Sequence, residues 1–314
     1  MSIAVVICAY TLDRWDQLVL SVESVRAQQP AHETILVVDH NDALRTRAVE
    51  RWPDLTVIAN VGAQGLSTAR NTALAATDAE VVAFLDDDAW ADEGWLAGLT
   101  APFDDPAVVA TGGRALPIWP GAAPAVLPPE LLWIVGCSYL GLPEDDADVR
   151  NVMGCSMAYR TAPLRALGGF NPDTGRVGRL PIGCEETEVC IRLRAEDPAR
   201  LIRYVPGAIV HHHVSADRVR LRYVVHRSWC EGISKAAISR TVGRQSALAS
   251  ESAYVAGVLP AGIVRQLGDG PGGWIGAGAI ALSVALAAAG FLRGRLSPGP
   301  VSARRSLIAE PAGT

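Results

Sequence analysis

Lysine is all but missing from this 314-residue chain: Lys235 is the only one. Phosphate chemistry that relies on a glycine-rich loop with an N-terminal lysine is therefore not available to it, and its positive charge rests almost wholly on arginine. Positive charge is also outweighed, with a formal net of -5. That argues against a nucleic-acid binder, which shows a strongly basic face. Cys8, Cys137, Cys155, Cys184, Cys190 and Cys230 include no C-x-x-C pair. Cys184 and Cys190, even with the later histidines, do not make a zinc pattern, so the set reads as reduced, mostly buried thiols. The opening "MSIAVVICAY" lacks the charged n-region and the length of a signal sequence. It reads as a first strand and leaves the folded part in the cytoplasm.

Regular alternation of strand and helix begins at once. Ile3 to Ala9 is a continuously apolar run, and Trp15, Leu18, Val22 and Val25 then recur at spacings of three and four, one face of a helix. Thr34 to Val38 predicts a second strand ending in Asp39, Asp42 to Trp52 a helix, Leu55 to Ala59 a third strand, Ser67 to Ala76 a helix and Val81 to Leu85 a fourth strand. Strands alternating with helices at this interval imply βαβ units and a mostly parallel sheet. The length allows one large α/β domain plus an appendage, or two modest domains.

Ligands of open α/β sheets sit beyond the carboxyl ends of the strands. "Ala9-Tyr10-Thr11", Asp39 and Asp86–Asp88 all fall at such ends, so three polar positions should converge on one rim. In the stretch "VVAFLDDDAW", Asp86 and Asp88 are two apart and share a face of an extended chain, while Asp87 points elsewhere. The plain reading is a solvated acidic turn. The chemical one is a hard divalent ion, Mg²⁺ or Mn²⁺, held by one or two carboxylates and the phosphates of a substrate. Glu185, Glu186 and Glu188 form a second acidic group, in "PIGCEETEVCIRLRAED", at the start of a helix. They are either an ordinary acidic first turn or the source of a general base for an attacking alcohol.

From about residue 114 the alternation stops. "RALPIWPGAAPAVLPPELLW" is an irregular segment, either a lid on the acceptor side or a surface insertion, and "ALGGFNPDTGRVG" is a loop that is either an acceptor loop or a turn. Val205 to Val210 predicts a last strand, followed by "HHHVSADR", with Ser215 placed to cap a long helix. From Val214 to Arg244, seven basic residues (Arg218, Arg220, Arg222, Arg227, Lys235, Arg240 and Arg244) face only Asp217 and Glu231. Gly272 to Leu292 is uncharged and long enough to cross a bilayer, and Arg293 and Arg295 follow it. It is either a helix in or on a membrane, with "AYVAGVLPAGIV" as a partner in the latter case, or a buried soluble helix. Spanning would put the trailing arginines on the cytoplasmic side, in conflict with a cytoplasmic domain and one crossing, so a helix lying on the inner leaflet fits better.

The order "VVICAY", "VVDH", "GLSTARNTAL", "FLDDD", "GGF" and "GCEETEVCIR" resembles the inverting glycosyltransferases of family 2 over roughly residues 1 to 240. "FLDDD" matches that family's D-x-D motif and "EETEVCIR" its E-D-x-D-L-x-x-R helix start. The resemblance implies the GT-A fold, a Rossmann-like α/β architecture with a mostly parallel central sheet flanked by helices. It divides the chain into a catalytic domain over 1–214 and a C-terminal part over 215–314, with a basic helix, apolar membrane-associated helices and a flexible tail. It further implies that Ala9, Tyr10 and Asp39 contact the uracil and ribose of a nucleotide donor and that Arg70 helps hold it. Asp86 would meet the ribose or a metal-bound water, Asp87 would belong to the donor site, and Asp88 would ligate Mn²⁺ or Mg²⁺. Glu186, beside Glu185, would deprotonate the acceptor, with Glu where the family has Asp. His212, flanked by His211 and His213, stands where the family has a histidine near the metal, and Ser156 stands where the family often has Asn.

The expected reaction is a single displacement at the anomeric carbon, with inversion, from a nucleoside-diphosphate sugar (a UDP-sugar) to a hydroxyl. Within the family, the likeness is to membrane-associated actinobacterial and archaeal members, some of which use polyprenyl- or dolichyl-linked acceptors in cell-envelope synthesis. The expected location is the cytoplasmic face of the cell membrane. The rivals are a sugar-phosphate nucleotidyltransferase, disfavoured by the missing lysine, and a silent membrane-associated scaffold of the same fold.

Overall fold

The computed structural model describes residues 1–173, 183–241 and 254–296. The end of the glycine-rich loop, Arg244 and the tail from 297 onward lie outside the described residues. The first half follows the predicted alternation: β1 (Ile3–Ala9), α1 (Trp15–Arg26), β2 (Glu33–Val38), α2 (Asp42–Arg51), β3 (Thr56–Ala59), α3 (Leu66–Ala76) and β4 (Val81–Asp86). These four strands are parallel, in the order β3-β2-β1-β4. Their apolar runs are continuous because both faces are covered. Val5 and Ile7 enter one core cluster while Ala4 and Val6 enter the other, as the two-residue period of a strand requires.

The second half departs from expectation. β5 (Ala89–Ala91), α4 (Trp95–Thr100), β6 (Val108–Ile118), β7 (Ala147–Asp148), β8 (Ser156–Arg160), α5 (Thr161–Ala166), α6 (Glu185–Glu196) and β9 (Leu201–His213) complete one sheet, β3-β2-β1-β4-β8-β6-β9-β5, with β7 also on β9. β8 runs antiparallel between β4 and β6. β6 and β8 were not foreseen: Gly112, Gly113 and Pro117 interrupt the apolar pattern of β6, and β8 is five residues long. The last strand is longer than Val205 to Val210 and takes the histidine run into the sheet. Ser215 does not cap the following helix. Its carbonyl accepts from the Arg218 amide at 2.9 Å in a turn, and α7 (Leu221–Thr241) begins later.

The proline-rich segment is neither a free lid nor a plain insertion. Its start finishes β6, and residues 129–135 wind into a 3-10 turn that carries Leu131, Ile134 and Val135. These pack with Val214, Val224, Leu259 and Ile280 in a third apolar cluster, so the segment is the platform for the C-terminal helices α8 (Leu259–Gly268) and α9 (Pro271–Leu296). Glu130, fully buried, accepts from Arg265 at 2.8 and 3.0 Å and pins α8 to that platform.

α9 lies along α7, where small residues permit close approach. Ser228 and Ser283 share a hydrogen bond of 2.8 Å between the two helices, and a Cβ on Gly294 would come within 2.7 Å of Ala236. A Cβ on Gly290 would collide with the Trp229 carbonyl. Gly290→Val should therefore lower the stability of the folded chain by about 1–3 kcal/mol, the usual cost of overpacking, measured as a fall in the urea midpoint. An unchanged midpoint would mean that the two helices separate freely.

Candidate active site

The carboxyl ends of β1, β2 and β4 open on one cleft, lined by Ala9, Tyr10, Arg14, Asp39, Asp86, Asp87 and Asp88, among others. The predicted convergence on one rim is present. Asp39 is buried and fixed twice, accepting from Asn60 Nδ2 at 2.6 Å and from the Gly65 amide at 3.0 Å at the head of α3. Gly65 has φ 148°, a conformation that favours glycine, and this lets its amide reach the carboxylate. Tyr10 lines the cleft, and its carbonyl accepts from Asn41 at 3.0 Å.

Asp86 ends β4, so Asp87 and Asp88 sit in the turn before β5, where strand alternation no longer holds. Asp87 consequently lines the same cleft as its neighbours. One of its oxygens accepts from Arg14 at 2.9 Å, and the other is buried without a partner. Burial pushes its carboxyl up to about 7, although Arg14 opposes the shift. Asp88 is held by Arg14 at 3.0 Å, by His212 Nε2 at 3.1 Å and by Arg218 at 3.7 Å. Burial raises its pKa, but His212, Arg14 and Arg218 outweigh burial and hold it well below 3.8. Burial lowers the pKa of His212, and Asp88 overcomes this to bring it up to about 10.

Pairing of β5 with β9 settles which histidine faces the cluster. Ala89 stands opposite His212, and the His213 amide bonds the Asp88 carbonyl at 2.8 Å. His211, on the other face, pairs with Asp92 at 2.8 Å and stacks on Trp90. Asp86, Asp88 and His212 each offer a ligand atom within 4.8 Å of one another.

The second acidic group is split by the turn of α6. Glu185 faces inward and accepts from Arg70 at 2.8 Å, whereas Glu188 turns away to Arg192 at 2.8 Å. Glu186, partly exposed, lies between them. Arg70 is 2 % exposed and reaches three ways: to Glu185, to Asp86 at 3.4 Å and to the Gly154 carbonyl at 3.0 Å. Its guanidinium also lies over Phe84 and Phe170. A Cβ on Gly154 would be 3.7 Å from Glu186 and 3.6 Å from Arg70, so the backbone there passes directly beside both head groups. One buried guanidinium thus ties the helix bearing Glu185 and Glu186 to the acidic end of β4. Burial, reinforced by Glu185, pushes the Glu186 carboxyl up to about 8.

Three residues with a part in this geometry were missed from sequence. Arg14 and Arg218 contact Asp88 from positions far away along the chain, and Asn60 orients Asp39. Arg14 left one signal: it is the N-cap of α1, where a cation opposes the helix dipole. Ser156 lies away from the cleft, buried and accepting from Trp95 Nε1 at 2.9 Å. Cys184 faces Glu231, and Cys190 lies 3.8 Å from the Tyr159 hydroxyl.

Comparison with known proteins bears on the family and the fold. Residues 4–168 match the profile of Glycosyl transferase family 2. The chain is 32% identical over 241 residues to the glucosyl-dolichyl phosphate glucuronosyltransferase of Haloferax volcanii, covering 75% of this chain and 76% of that one. It is 30% identical over 247 residues to a pre-mycofactocin glycosyltransferase of Mycobacterium tuberculosis, covering 76% of this chain but 48% of that longer protein. Among solved structures, a mannosyltransferase from Pyrobaculum calidifontis, in complex with GDP-Man and Mn²⁺, superposes with a TM-score of 0.59 at 18% identity, over 92% of this chain and 86% of that one. GalNAc-T7, with UDP, GalNAc and Mn²⁺, gives 0.53 at 17% identity, over 82% and 56%. These two likenesses show the GT-A fold. By the family profile over more than half of its residues and by the archaeal relative, of which it covers about three quarters, the chain belongs to glycosyl transferase family 2.

Proposed function

We propose that this glycosyltransferase moves a sugar, with inversion, from a nucleoside-diphosphate sugar (a UDP-sugar) to the hydroxyl of a lipid-phosphate-linked acceptor. The observation that supports this reading is the Arg70 bridge, which links the acidic end of β4 to Glu185, the neighbour of the candidate base Glu186. The acceptor class is supported by the relative that acts on a glucosyl-dolichyl phosphate.

The donor set fits Mn²⁺ or Mg²⁺: two carboxylates and an imidazole converge, and beside them an Asp87 oxygen is buried without a partner. When bound, such an ion neutralises charge on a departing diphosphate. The remaining work falls to the chain's own residues. Asp39, oriented by Asn60 and Gly65, receives the donor's nucleoside beside Ala9 and Tyr10. Arg70 binds the Glu185 carboxylate and so fixes α6. Glu186 accepts the proton of the acceptor hydroxyl as that oxygen attacks opposite the nucleotide. Residues 1–214 carry this chemistry, with Arg218 reaching Asp88 from the C-terminal part, and residues 215–314 carry the contact with the membrane.

That contact is a helix lying in the plane of the cytoplasmic leaflet. α9 is the one described helix long and apolar enough to cross a bilayer, at about 39 Å. Along one side it packs on α7, which carries Arg227, Glu231 and Lys235. A crossing would take those charges into lipid. The other side of α9 exposes Trp274, Ile275, Leu282, Leu292 and Leu296 in one row, with Val264 and Leu267 of α8 also exposed. An apolar face in a basic setting suits an anionic leaflet. Full-length protein should float with phosphatidylglycerol-containing vesicles, and Leu282→Arg should cut the bound fraction about tenfold. Equal flotation of the variant would refute the assignment of this face.

The reaction is tested by nucleoside-diphosphate release from a panel of nucleotide sugars, with and without EDTA. Release that needs both the divalent ion and a polyprenyl-phosphate-sugar acceptor supports the proposal. Release unaffected by EDTA would overturn the metal assignment, and the absence of release with every donor would overturn the reading as a whole.

A further inference from the structure

We propose that Arg14 is a built-in counter-cation of the acidic cleft. It occupies Asp87 and Asp88 while no nucleotide is bound, keeps a divalent ion from settling there alone, and gives way when a nucleoside diphosphate arrives with the ion. This rests on the metal-dependent reading above and adds to it an internal competitor.

Four observations support the inference. First, Arg14 makes both of its carboxylate contacts with one nitrogen, Nη1, at 2.9 Å from Asp87 and 3.0 Å from Asp88. That leaves the guanidinium on the cleft side of the pair, and Arg14 itself lines the cleft. Second, Asp88 presents its two oxygens to different groups: Oδ1 to His212, and Oδ2 to Arg14 and Arg218. An ion bound between Asp88 and His212 would therefore stand within a few ångströms of a fixed positive charge, and like charges at that range repel strongly in a partly desolvated site. Third, the two guanidiniums differ in freedom. The Arg218 side chain is 10% exposed, whereas that of Arg14 is 25% exposed. Arg14 ends a short 3-10 turn, and its guanidinium lies over the ring of Tyr10, 5.4 Å from the centroid, with Nη2 3.5 Å from the Tyr10 hydroxyl. It can swing outward along that ring without disturbing the core. Fourth, the head of α1 does not favour its position, because a cation at the N-cap opposes the helix dipole; its neighbours there besides the acids are the ring and hydroxyl of Tyr10. The acidic cluster holds it there.

The consequence is thermodynamic coupling. The incoming diphosphate supplies negative charge for Arg14 and further oxygen ligands for the ion, so nucleotide and ion each raise the other's affinity by the same factor. Removing the internal cation should strengthen binding of the ion alone and shrink that factor.

The test uses the full chain with Mn²⁺ and UDP as probes, following free Mn²⁺ by electron paramagnetic resonance and heat by titration calorimetry. In the natural protein, Mn²⁺ alone should bind weakly, and UDP should tighten it at least tenfold. Arg14→Met should bind Mn²⁺ alone at least tenfold more tightly, with the UDP effect reduced to about threefold or less. Its melting temperature without ions should fall and be restored by Mn²⁺ alone, a rescue that a merely structural arginine would not produce. Arg14→Lys, which keeps the charge, should retain the weak nucleotide-free binding. If Arg14→Met binds Mn²⁺ no more tightly than the natural protein, the counter-cation role is wrong even though the metal site stands. If the natural protein binds no Mn²⁺ with UDP present, the metal reading fails and this inference fails with it.

Discussion

Asp88→Ala is expected to abolish metal-dependent sugar transfer, lowering turnover by about a thousandfold or more. The size follows from the role. A divalent ion that stabilises a leaving diphosphate contributes several kcal/mol, and ~4 kcal/mol corresponds to roughly three orders of magnitude in rate. The substitution also strips His212, Arg14 and Arg218 of their shared partner, so some loss of stability accompanies it. Asp88→Asn, which keeps the shape, separates the two effects: it should melt closer to the natural protein yet show no thermal stabilisation by Mn²⁺ with UDP. A variant at this position that retains Mn²⁺-dependent turnover within tenfold would remove Asp88 from the metal site.

Glu186→Gln should act on a different step. The amide cannot take the acceptor proton, so kcat should fall by about 10²–10⁴-fold, the usual contribution of a general base. Donor affinity should remain, because the Arg70 bridge runs through Glu185 rather than Glu186. The pH profile gives an independent check. A base must be ionised to act, and burial with Glu185 nearby puts the Glu186 carboxyl at about 8. In the natural protein kcat/KM should therefore climb as pH rises through about 8 and level off above it, and in Glu186→Gln this limb should disappear. A limb that survives in the variant belongs to another group, and Glu186 would then not be the base.

Much of the frame was legible in the sequence because burial on both faces writes itself as unbroken apolar runs, as in Ile3–Ala9 and Val81–Leu85. β6 was not, because Gly112, Gly113 and Pro117 erase that pattern in a strand fixed by its neighbours β8 and β9 rather than by its own residues. The convergence of Asp39 and Asp86–Asp88 followed from their places at strand ends. The proximity of Glu185 to Asp86 did not, since it depends on Arg70, 115 residues away from Glu185 along the chain. Arg14 was hidden for the same reason, with Asp87 73 residues further on. In both cases a cation out of place by local rules was the readable trace: an arginine on the buried face of α3 and another at the head of α1.

The three consecutive histidines of β9 give this protein tolerance to a fault that most sheet-built centres cannot absorb. Sliding a strand by one residue turns every side chain to the opposite face, and β9 already meets irregular steps against β6 beside Gly113 and Arg114. With His211 and His213 on either side of His212, a slip of one position in either direction still sets an imidazole next to Asp88. The triplet makes the identity of that neighbour independent of small errors in alignment, so a single-residue insertion or deletion upstream in the strand would cost packing before it removed the imidazole.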